Sequence, residues 1–590
     1  MVLFRPLAVL VPLLGLVAWQ GCSSQDRPQH SLSPTARASQ AAEKLANLFE
    51  VSDRQEMALD PIGALIRGEQ KHAAEFGDYI TQDYLAAKQA KVRADLERLR
   101  EIDPDDLARE RAISYRAFEY RLELQIKGFE SGAEQTLRHL PLDQLFGFHV
   151  IFPDMSSGES IAPFRTLQDY ENGLSRLEGF VTYLGRAQKA MEAGIAAGHV
   201  LPRFAAQKVI DQVSAAVEEG IEGSPFLKPT RNFPPSFRTA EKTRLAAAFR
   251  SKIQREVLPA YRALHEFLDR VYLPASRSGS PGLSAMKDGD ELYAFLIERH
   301  TSTRMSPESI HQLGLEEVAR IRGEMEKIRK RVGFEGSLSE FFDFQRTDPQ
   351  FKFATEGSLI AAYEAVWDQV EPQMESFFER LPAGAFEIRP VPESLAKTSG
   401  GAYYYAGTPD GSRPGVFYIN TYDLPSRISP VVETLFLHEA MPGHHLQGSL
   451  ALEDATLPGF QRFGDNTAYG EGWALYVESL GPELGLFTDP YQLFGHLDLE
   501  MFRALRLVVD SGLHTKGWSR ERAVEYMLAN SSWGESTISA EVDRYLVWPA
   551  QALAYKLGQL TIRRLRSESE AAFGEKFDVR AFHSQILGSG

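Results

Sequence analysis

Three histidines and a glutamate lie within the eight-residue segment HEAMPGHH, at positions 438–445. Imidazole nitrogens and carboxylate oxygens are common ligands of Zn²⁺ in proteins. Three of the 14 histidines of the chain fall in this segment, and this clustering favours a metal site over a buried, hydrogen-bonded histidine pair. The segment therefore predicts that His438 binds zinc and that the adjacent Glu439 acts as a catalytic base.

The spacing of the segment departs from the HExxH pattern, which places two histidines one helical turn apart. Pro442 occupies the second histidine's position, and on a straight helix His444 would point away from His438. Since proline breaks helical hydrogen bonding and Gly443 permits unusual backbone angles, a local bulge is predicted to return a later histidine to His438. His444 is the preferred second ligand, because it follows a glycine. His445 is the alternative, or else supports a ligand or faces the substrate.

A third ligand is predicted from the segment TAYGEGWALYVESLG at positions 467–481, where Glu471 and Glu478 lie two turns apart on one helical face. Zinc sites commonly combine two histidines with a glutamate. The string EGWALYVE resembles the one that supplies the zinc-binding glutamate in the aminopeptidase N family, and this resemblance assigns that role to Glu471. A favourable interaction of Glu471 with a helix dipole is the alternative. Glu478 is expected either to orient a ligand or to be a surface carboxylate.

Further residues are predicted to contact the substrate. An oxyanion forming on an attacked carbonyl needs a donor, and His514, Arg544 and Tyr545 have suitable side chains. None has a spacing argument of its own, so a structural role stays open for each. Two β-rich stretches predict a ribbon over 402–420, in which Tyr418 and Asn420 could hold an extended peptide by strand addition. A purely structural hairpin is the alternative.

The segments HEAMPGHHLQ, YGEGWALYVE, VDSGLH and DRYLVWPAQALAYKLG together resemble the bacterial family catalogued as domain of unknown function 885. The resemblance covers roughly residues 40–585 and is densest after residue 400. It implies a zincin-like, largely helical fold with a cleft, and a metallopeptidase related to the thimet oligopeptidase and carboxypeptidase Taq groups. Those groups use HExGH, so the two-residue insertion here leaves the second ligand open. Dipeptidyl peptidase III has a similar motif, HExxGH, which shows that one residue inserted between the two histidines is tolerated.

The amino-terminal residues are typical of a secretion signal. An apolar run over 7–19 precedes Cys22, the only cysteine of the chain, and this run is too short to span a bilayer comfortably. Residues 1–21 are therefore predicted to be a signal peptide, with Cys22 lipidated and residues 22–40 forming a tether. The protein is expected to be exported and anchored to a bacterial membrane, on the periplasmic side of the outer membrane in a Gram-negative cell. An ordinary signal peptide with an incidental cysteine is the alternative.

Helical periodicity dominates the remaining chain and predicts a mostly α protein with a small β-ribbon next to the helix of the predicted active site. The length of 590 residues indicates at least two subdomains. We expect an N-terminal helical subdomain over 41–275 and a catalytic helical subdomain over 276–590. The formal charge of −16 argues against nucleic acid as a partner, because phosphate binding needs a basic face.

These features together predict a zinc-dependent peptidase that hydrolyses peptide bonds with a metal-activated water and Glu439 as the base. The expected cofactor is Zn²⁺, and the expected partners are a peptide substrate and the membrane, reached through the N-terminal lipid. Two alternatives stay open. The same site could act as a zinc amidase on cell-wall peptides, or the protein could be a catalytically inactive lipoprotein that binds a partner.

Overall fold

The computed structural model describes residues 33–396, 400–408, 413–464 and 466–590. This part of the chain is mostly helical, as the sequence predicts, and holds a small sheet of three strands. The predicted signal peptide and Cys22 lie outside the described residues. Among the residues described, no helix combines the length and the apolar character that crossing a membrane requires.

The N-terminal part of the fold consists of helices that pack around two apolar cores, one with buried members from Ala41 to Leu122 and one with buried members from Ile62 to Tyr272. Helix α1 begins at Pro34, because the Ser33 side chain accepts a backbone hydrogen bond from the first turn and proline fits the first helical position. The tether predicted over 22–40 therefore overlaps a helix from residue 34 onward. The helices of this part are α1 (Pro34–Leu59), α2 (Pro61–Ile66), α3 (Gln82–Arg100), α4 (Arg109–Glu130), α5 (Ala133–Arg138), α6 (Phe148–Met155), α7 (Leu167–Ala197), α8 (Arg203–Gly223), α9 (Thr239–Lys252), α10 (Leu258–Phe267) and α11 (Leu273–Ala275).

The C-terminal part is built around one long helix, α22, in which every residue from Phe494 to His514 is buried. Charged residues inside a core need hydrogen-bond partners, and Asp510 accepts hydrogen bonds from the Tyr293 hydroxyl at 2.6 Å and the Ala550 N–H at 3.1 Å. The helices of this part are α12 (Gly289–Thr301), α13 (Pro307–Arg331), α14 (Leu338–Thr347), α15 (Glu356–Val370), α16 (Met374–Phe377), α17 (Glu393–Ala396), α18 (Val432–Glu439), α19 (His444–Glu453), α20 (Gly459–Arg462), α21 (Thr467–Glu478), α22 (Pro490–Thr515), α23 (Arg520–Leu528), α24 (Glu535–Val547), α25 (Leu553–Phe573) and α26 (Val579–Leu587).

The sheet contains the two predicted ribbon strands and a third strand that the sequence did not predict. Strands β1 (Phe386–Pro390), β2 (Ala402–Tyr405) and β3 (Gly415–Ile419) lie in the order β1-β3-β2. Strand β3 pairs in parallel with β1 and antiparallel with β2. Because both edges of β3 are paired, strand addition of a peptide at 416–420 is excluded, which corrects that expectation. The edges of the sheet are β1 and β2.

Candidate metal centre

Two histidines and a glutamate form a compact cluster between α18, α19 and α21. One ligand atom each from His438, His444 and Glu471 lies within 4.8 Å of the others. The Glu471 Oε2 atom lies 3.5 Å from Nε2 of His438 and 3.5 Å from Nε2 of His444. Ligand atoms about 2.1 Å from a tetrahedral zinc ion are separated by about 3.4 Å. The three side chains therefore have nearly the mutual spacing of a zinc site.

The chain reaches this geometry through a break between two helices. Helix α18 ends at Glu439, the Met441–Pro442 peptide is cis, and α19 begins at His444. The sequence predicts a bulge within one kinked helix, and the structure corrects this to two separate helices joined by a turn. Since His444 opens the second helix, its side chain is free of the register that a continuous helix would impose, and the turn places it over His438.

Gly443 is required for the close approach of the two helices. A Cβ atom at this position would lie 1.9 Å from the carbonyl oxygen of His438 and 2.3 Å from that of Leu437. Any side chain would therefore force the turn away from the end of α18. The indole Nε1 of Trp473 donates a hydrogen bond at 2.9 Å to the carbonyl of Pro442. Because Trp473 follows Glu471 by two residues on α21, the same helix supplies the glutamate and holds the turn.

Helix α21 is in turn fixed against α25 by two glycines. A Cβ on Gly472 would lie 2.5 Å from Cα of Gly558, so the two helices cross in direct backbone contact. The carboxylate of Glu471 adjoins this crossing. Its position is therefore set by the Trp473 hydrogen bond on one side and by the helix crossing on the other.

Glu478 orients the first histidine of the cluster. Nδ1 of His438 donates a hydrogen bond to Glu478 Oε1 at 2.7 Å, and the Glu478 side chain is only 1% exposed. This burial excludes the surface role that the sequence left open for Glu478. A hydrogen bond from Nδ1 to a carboxylate fixes the tautomer and leaves Nε2 as an acceptor, which is the usual arrangement of a metal-binding histidine.

The electrostatics of the cluster suit a cation. Burial by itself lowers the pKa of His438, but the adjacent carboxylates of Glu471 and Glu478 raise this pKa to about 9. Burial also disfavours the Glu471 anion, yet His438 and His444 hold the pKa of Glu471 well below its usual range. Within the described residues, the buried Oε2 of Glu471 has no hydrogen-bond partner of ordinary geometry. A metal ion held between this buried carboxylate oxygen and the two imidazole nitrogens would satisfy the oxygen.

His445 lies outside the cluster. Its buried ring contacts the sheet, where Nδ1 forms hydrogen bonds with the Tyr404 hydroxyl at 2.9 Å and the Ser449 hydroxyl at 3.3 Å. Burial lowers the pKa of His445 to about 4, so this side chain is neutral at pH 7. Of the two histidines that the sequence left open, the structure brings His444 to His438 and directs His445 to β2.

Glu439 lies at the end of α18, next to the cluster but not in it. Its side chain is half-buried, and within the described residues it has no hydrogen-bond partner. Its negative charge contributes to the raised pKa of His438 and also raises the pKa of Tyr363. A carboxylate that adjoins the cluster and has no competing partner can accept a proton from a water molecule there.

Two of the three predicted oxyanion donors are structural. Nδ1 of the fully buried His514 accepts a hydrogen bond from the N–H of Leu283 at 3.1 Å, and its Nε2 donates one to the carbonyl of Tyr545 at 3.0 Å. Tyr545 is also fully buried, and its hydroxyl accepts a hydrogen bond from Arg506 at 3.2 Å. Both side chains are occupied inside the core, so their predicted contact with substrate is wrong.

Arg544, the third predicted donor, contacts a tyrosine that the sequence did not rank, Tyr555. The Arg544 guanidinium donates hydrogen bonds to the Tyr555 hydroxyl at 3.3 Å and to Gln551 at 2.6 Å. Burial raises the pKa of Tyr555, and the charge of Glu471 raises it further. Tyr555 precedes Gly558 by three residues, so it lies on the face of α25 that crosses α21. Gly472 and Gly558, at which α21 and α25 cross, were the sequence signal that could have pointed to Tyr555.

Neither predicted substrate residue of the ribbon is placed for that role. The Asn420 side chain is 2% exposed and donates hydrogen bonds to the carbonyls of Ala396 at 2.7 Å and Gly400 at 3.0 Å. Asn420 therefore ties the loop before β2 to the end of β3. Tyr418 is half-buried and packs on Tyr403 of the neighbouring strand, with ring centroids 5.1 Å apart. Both residues stabilise the sheet.

The fold and the site together define a helical bacterial protein with a preformed cluster of two histidines and a glutamate. The family profile described as "Bacterial protein of unknown function (DUF885)" matches residues 61–590, and the chain belongs to this family. This membership confirms the family resemblance that the sequence motifs indicate.

Solved structures show the same fold. The crystal structure of a protein from Colwellia psychrerythraea, described as a "putative lipoprotein", is similar with a TM-score of 0.83 and 28% identity over 93% of this chain and 96% of that chain. A second protein, from Shewanella oneidensis and described as "a putative lipoprotein of unknown function", has a TM-score of 0.69 and 18% identity over 95% of this chain and 98% of that chain. At that identity the likeness concerns the fold alone. No match is found among curated proteins.

Proposed function

We propose that this protein is a zinc-dependent peptidase. The observation that carries the proposal is the spacing of His438, His444 and Glu471, in which Oε2 of the glutamate lies 3.5 Å from both Nε2 atoms. The donor set of two imidazoles and one carboxylate is that of catalytic zinc sites, which keep a fourth position open. The origin of the donors, with the two histidines on the successive helices α18 and α19 and the glutamate on α21, also supports a zincin-like fold.

Each residue at the site has a distinct role in this proposal. His438, His444 and Glu471 hold the ion, and Glu478 keeps His438 in the correct tautomer. A bound zinc ion supplies Lewis acidity toward a water molecule and the scissile carbonyl. Glu439 removes a proton from the attacking water and then delivers it to the leaving amine, so that one peptide bond and one water yield a carboxylate and an amine. The Tyr555 hydroxyl, supported by Arg544, donates to the developing oxyanion.

Metal analysis combined with substrate profiling tests the proposal. The mature protein purified without chelator is expected to carry about one zinc ion per chain, as a single three-residue site allows. It should hydrolyse members of a mixed peptide library, lose this activity with 1,10-phenanthroline and regain it with added zinc. Cleavage of muropeptides but not of ordinary peptides would favour the cell-wall amidase. Zinc content well below one per chain would favour an inactive binding lipoprotein.

Replacing Tyr555 with phenylalanine should lower kcat by roughly 10²–10³-fold, the usual cost of losing one oxyanion donor. KM should change little, because the hydroxyl acts mainly when charge develops on the carbonyl oxygen. Steady-state kinetics with a peptide substrate measure both constants. Tyr545→Phe is the matched control, since it removes a hydroxyl that contacts Arg506 in the core and should leave kcat nearly unchanged. Equal kcat values for the two variants would remove Tyr555 from the mechanism.

We propose that the protein is exported and anchored by a lipid on Cys22 to a bacterial cell membrane, on the periplasmic side of the outer membrane in a Gram-negative cell. The apolar run before this single cysteine and the description of the Colwellia psychrerythraea protein as a "putative lipoprotein" support it. Mass spectrometry of the intact protein, purified from membranes, checks the assignment, because the chain should begin at Cys22 and carry the mass of a lipid. A mature chain that begins elsewhere or lacks the lipid mass would contradict it.

A further inference from the structure

A cavity of about 680 Å³ lies between the N-terminal helices and the segment that leads to the metal cluster. Its walls come from α1 to α5 on one side and from α12, α20 and the start of α21 on the other. This volume falls in the range of about 300–1,000 Å³ that small-ligand pockets occupy. The cavity contains none of the three cluster residues, so it is a separate space beside them.

The cavity adjoins the proposed catalytic machinery at two points. Thr467 lines the cavity and opens α21, and Glu471 follows it after one turn, about 6 Å along the helix axis. Trp548 also lines the cavity, and the guanidinium of Arg544 lies 5.3 Å from its ring centroid. Arg544 in turn contacts Tyr555. A peptide bound at the cluster could therefore extend into this space within a few residues, since an extended chain advances about 3.3 Å per residue.

Most charges that line the cavity are already paired with one another. Asp60, an acid without a cationic partner there, accepts hydrogen bonds from the Tyr79 hydroxyl at 2.8 Å and the N–H of Gly63 at 2.9 Å. The ion pairs are Arg67 with Asp53 at 2.8 Å, Lys91 with Glu56 at 3.1 Å and Arg299 with Glu134 at 3.5 Å. These contacts satisfy the acidic side chains of the wall.

Two cations of the wall differ from the others. Lys88 and Arg121 are half-buried, and among the residues that the structure describes neither has an acidic group within ion-pair distance. Both line the cavity together with Glu56, and their charges, with that of Lys91, lower the pKa of Glu56 against the opposing effect of burial. The guanidinium of Arg121 lies over the Phe460 ring, 6.0 Å from its centroid, but partly desolvated cations without an acidic partner favour an anionic ligand.

The remaining wall is apolar and aromatic. Phe118, Phe295, Phe460, Phe463 and Trp548 line it. Side chains of this kind supply contact area for a ligand, while a few polar groups set its orientation. The combination of an aromatic wall and two unpaired cations suits a short peptide segment that carries one negative charge.

We propose that this cavity binds a carboxylate-bearing segment of the substrate, with the carboxylate held by Lys88 and Arg121. The inference rests on the proposed peptidase function and specifies its substrate class as short peptides with an anionic end. The carboxylate is supplied either by the free C-terminus or by an acidic side chain, since both present the same group to the two cations. The acidic protein, with a formal charge of −16, thus has a local basic site for an anionic substrate.

A binding assay tests this inference without relying on hydrolysis. The full mature chain carrying Glu439→Gln is titrated into three fluorescein-labelled peptides, and anisotropy reports binding. The peptides are an alanine pentapeptide with a free C-terminus, the same peptide as an amide, and an amidated version containing one glutamate. The free acid should bind roughly 10–100-fold more tightly than the plain amide, as charged hydrogen bonds predict. Tight binding of the glutamate peptide would identify a side chain as an equally good source of the carboxylate.

Variants connect the preference to the cavity. Lys88→Ala with Arg121→Ala should remove the preference for the free acid. The matched control, Lys189→Ala with Arg262→Ala, replaces exposed cations on α7 and α10 and should retain it. Should the double variant fail to fold, judged by circular dichroism, the single changes Lys88→Gln and Arg121→Gln each carry the same test with a smaller expected loss.

The outcomes separate this inference from the proposed function. Equal binding of the acid and the amide, no binding of any probe, or an unchanged preference in the Lys88 and Arg121 variants would overturn the inference, even if the wild-type protein hydrolyses peptides. Carboxylate-dependent binding that requires Lys88 and Arg121, in a protein that hydrolyses no peptide, would leave the cavity as a binding site and refute the peptidase proposal alone.

Discussion

Replacing Glu439 with glutamine is expected to reduce peptide hydrolysis by roughly 10²–10⁴-fold, the usual contribution of a general base, without changing the zinc content. Glutamine keeps the size of the side chain but cannot accept the proton of the attacking water. Glu439 has no hydrogen-bond partner among the described residues, so its replacement should leave the fold intact. The three residues of the cluster stay unchanged, and the affinity for zinc should therefore persist.

Two measurements on the same preparation check this result. Elemental analysis gives the zinc content, and steady-state hydrolysis of a peptide substrate gives kcat. Glu364→Gln is the matched control, because Glu364 is exposed on α15 and its replacement should leave both values at the wild-type level. Zinc-loaded Glu439→Gln protein that hydrolyses peptides at the wild-type rate would show that the base lies elsewhere.

The histidines and glutamates of the cluster could be predicted from the sequence because their signals are local. His438 and Glu439 are adjacent, and four residues, which include Pro442 and Gly443, separate them from a second histidine pair within one short segment. Glu471 and Glu478 share a helical face by spacing alone. Glu471 faces Nε2 of His438 and Glu478 faces its Nδ1. Two residues on one face of a neighbouring helix can approach the same ring in this way.

The sequence favoured His444 over His445 as the second ligand but could not decide between them. The choice depends on where α19 begins, and that point is set by the approach of Gly443 to the end of α18. One residue further along a helix, a side chain turns by about 100°. His445 consequently faces Tyr404 of the sheet, although it carries the same functional group as His444.

The predictions for His514 and Tyr545 as oxyanion donors were wrong for a different reason. Tyr545 and Tyr555 are both tyrosines of the same segment, and only tertiary packing distinguishes them. The crossing of α21 and α25 at Gly472 and Gly558 brings Tyr555 toward Glu471, whereas Tyr545 enters the core beside α22. Strand β1 was not predicted for a similar reason. It pairs in parallel with β3, and parallel strands are not joined by a tight turn that the sequence could reveal.

His444→Ala is expected to abolish high-affinity zinc binding, whereas His445→Ala should retain about one zinc ion per chain, as a three-residue site allows. The reason is geometric: Nε2 of His444 faces Glu471 at 3.5 Å, while the buried ring of His445 bonds to Tyr404 and Ser449. Loss of a ligand should weaken zinc binding by more than the roughly 10–100-fold that losing a supporting hydrogen bond costs. Elemental analysis after dialysis against a weak chelator measures the difference.

Thermal unfolding adds a second readout, because an ion that binds only the folded state raises Tm by mass action. Added zinc should raise the Tm of metal-depleted wild-type and His445→Ala protein and leave that of His444→Ala unchanged. His445→Ala should also unfold at a lower temperature in the absence of metal, since it removes a buried ring that packs on Phe386 and hydrogen-bonds to the Tyr404 hydroxyl, at a cost of about 1–3 kcal/mol. The opposite pattern, with zinc retained by His444→Ala and lost by His445→Ala, would assign the second ligand to the histidine that faces the sheet and would require α19 to begin one residue later. The pair of variants thus tests the geometry of the turn itself, independently of any substrate.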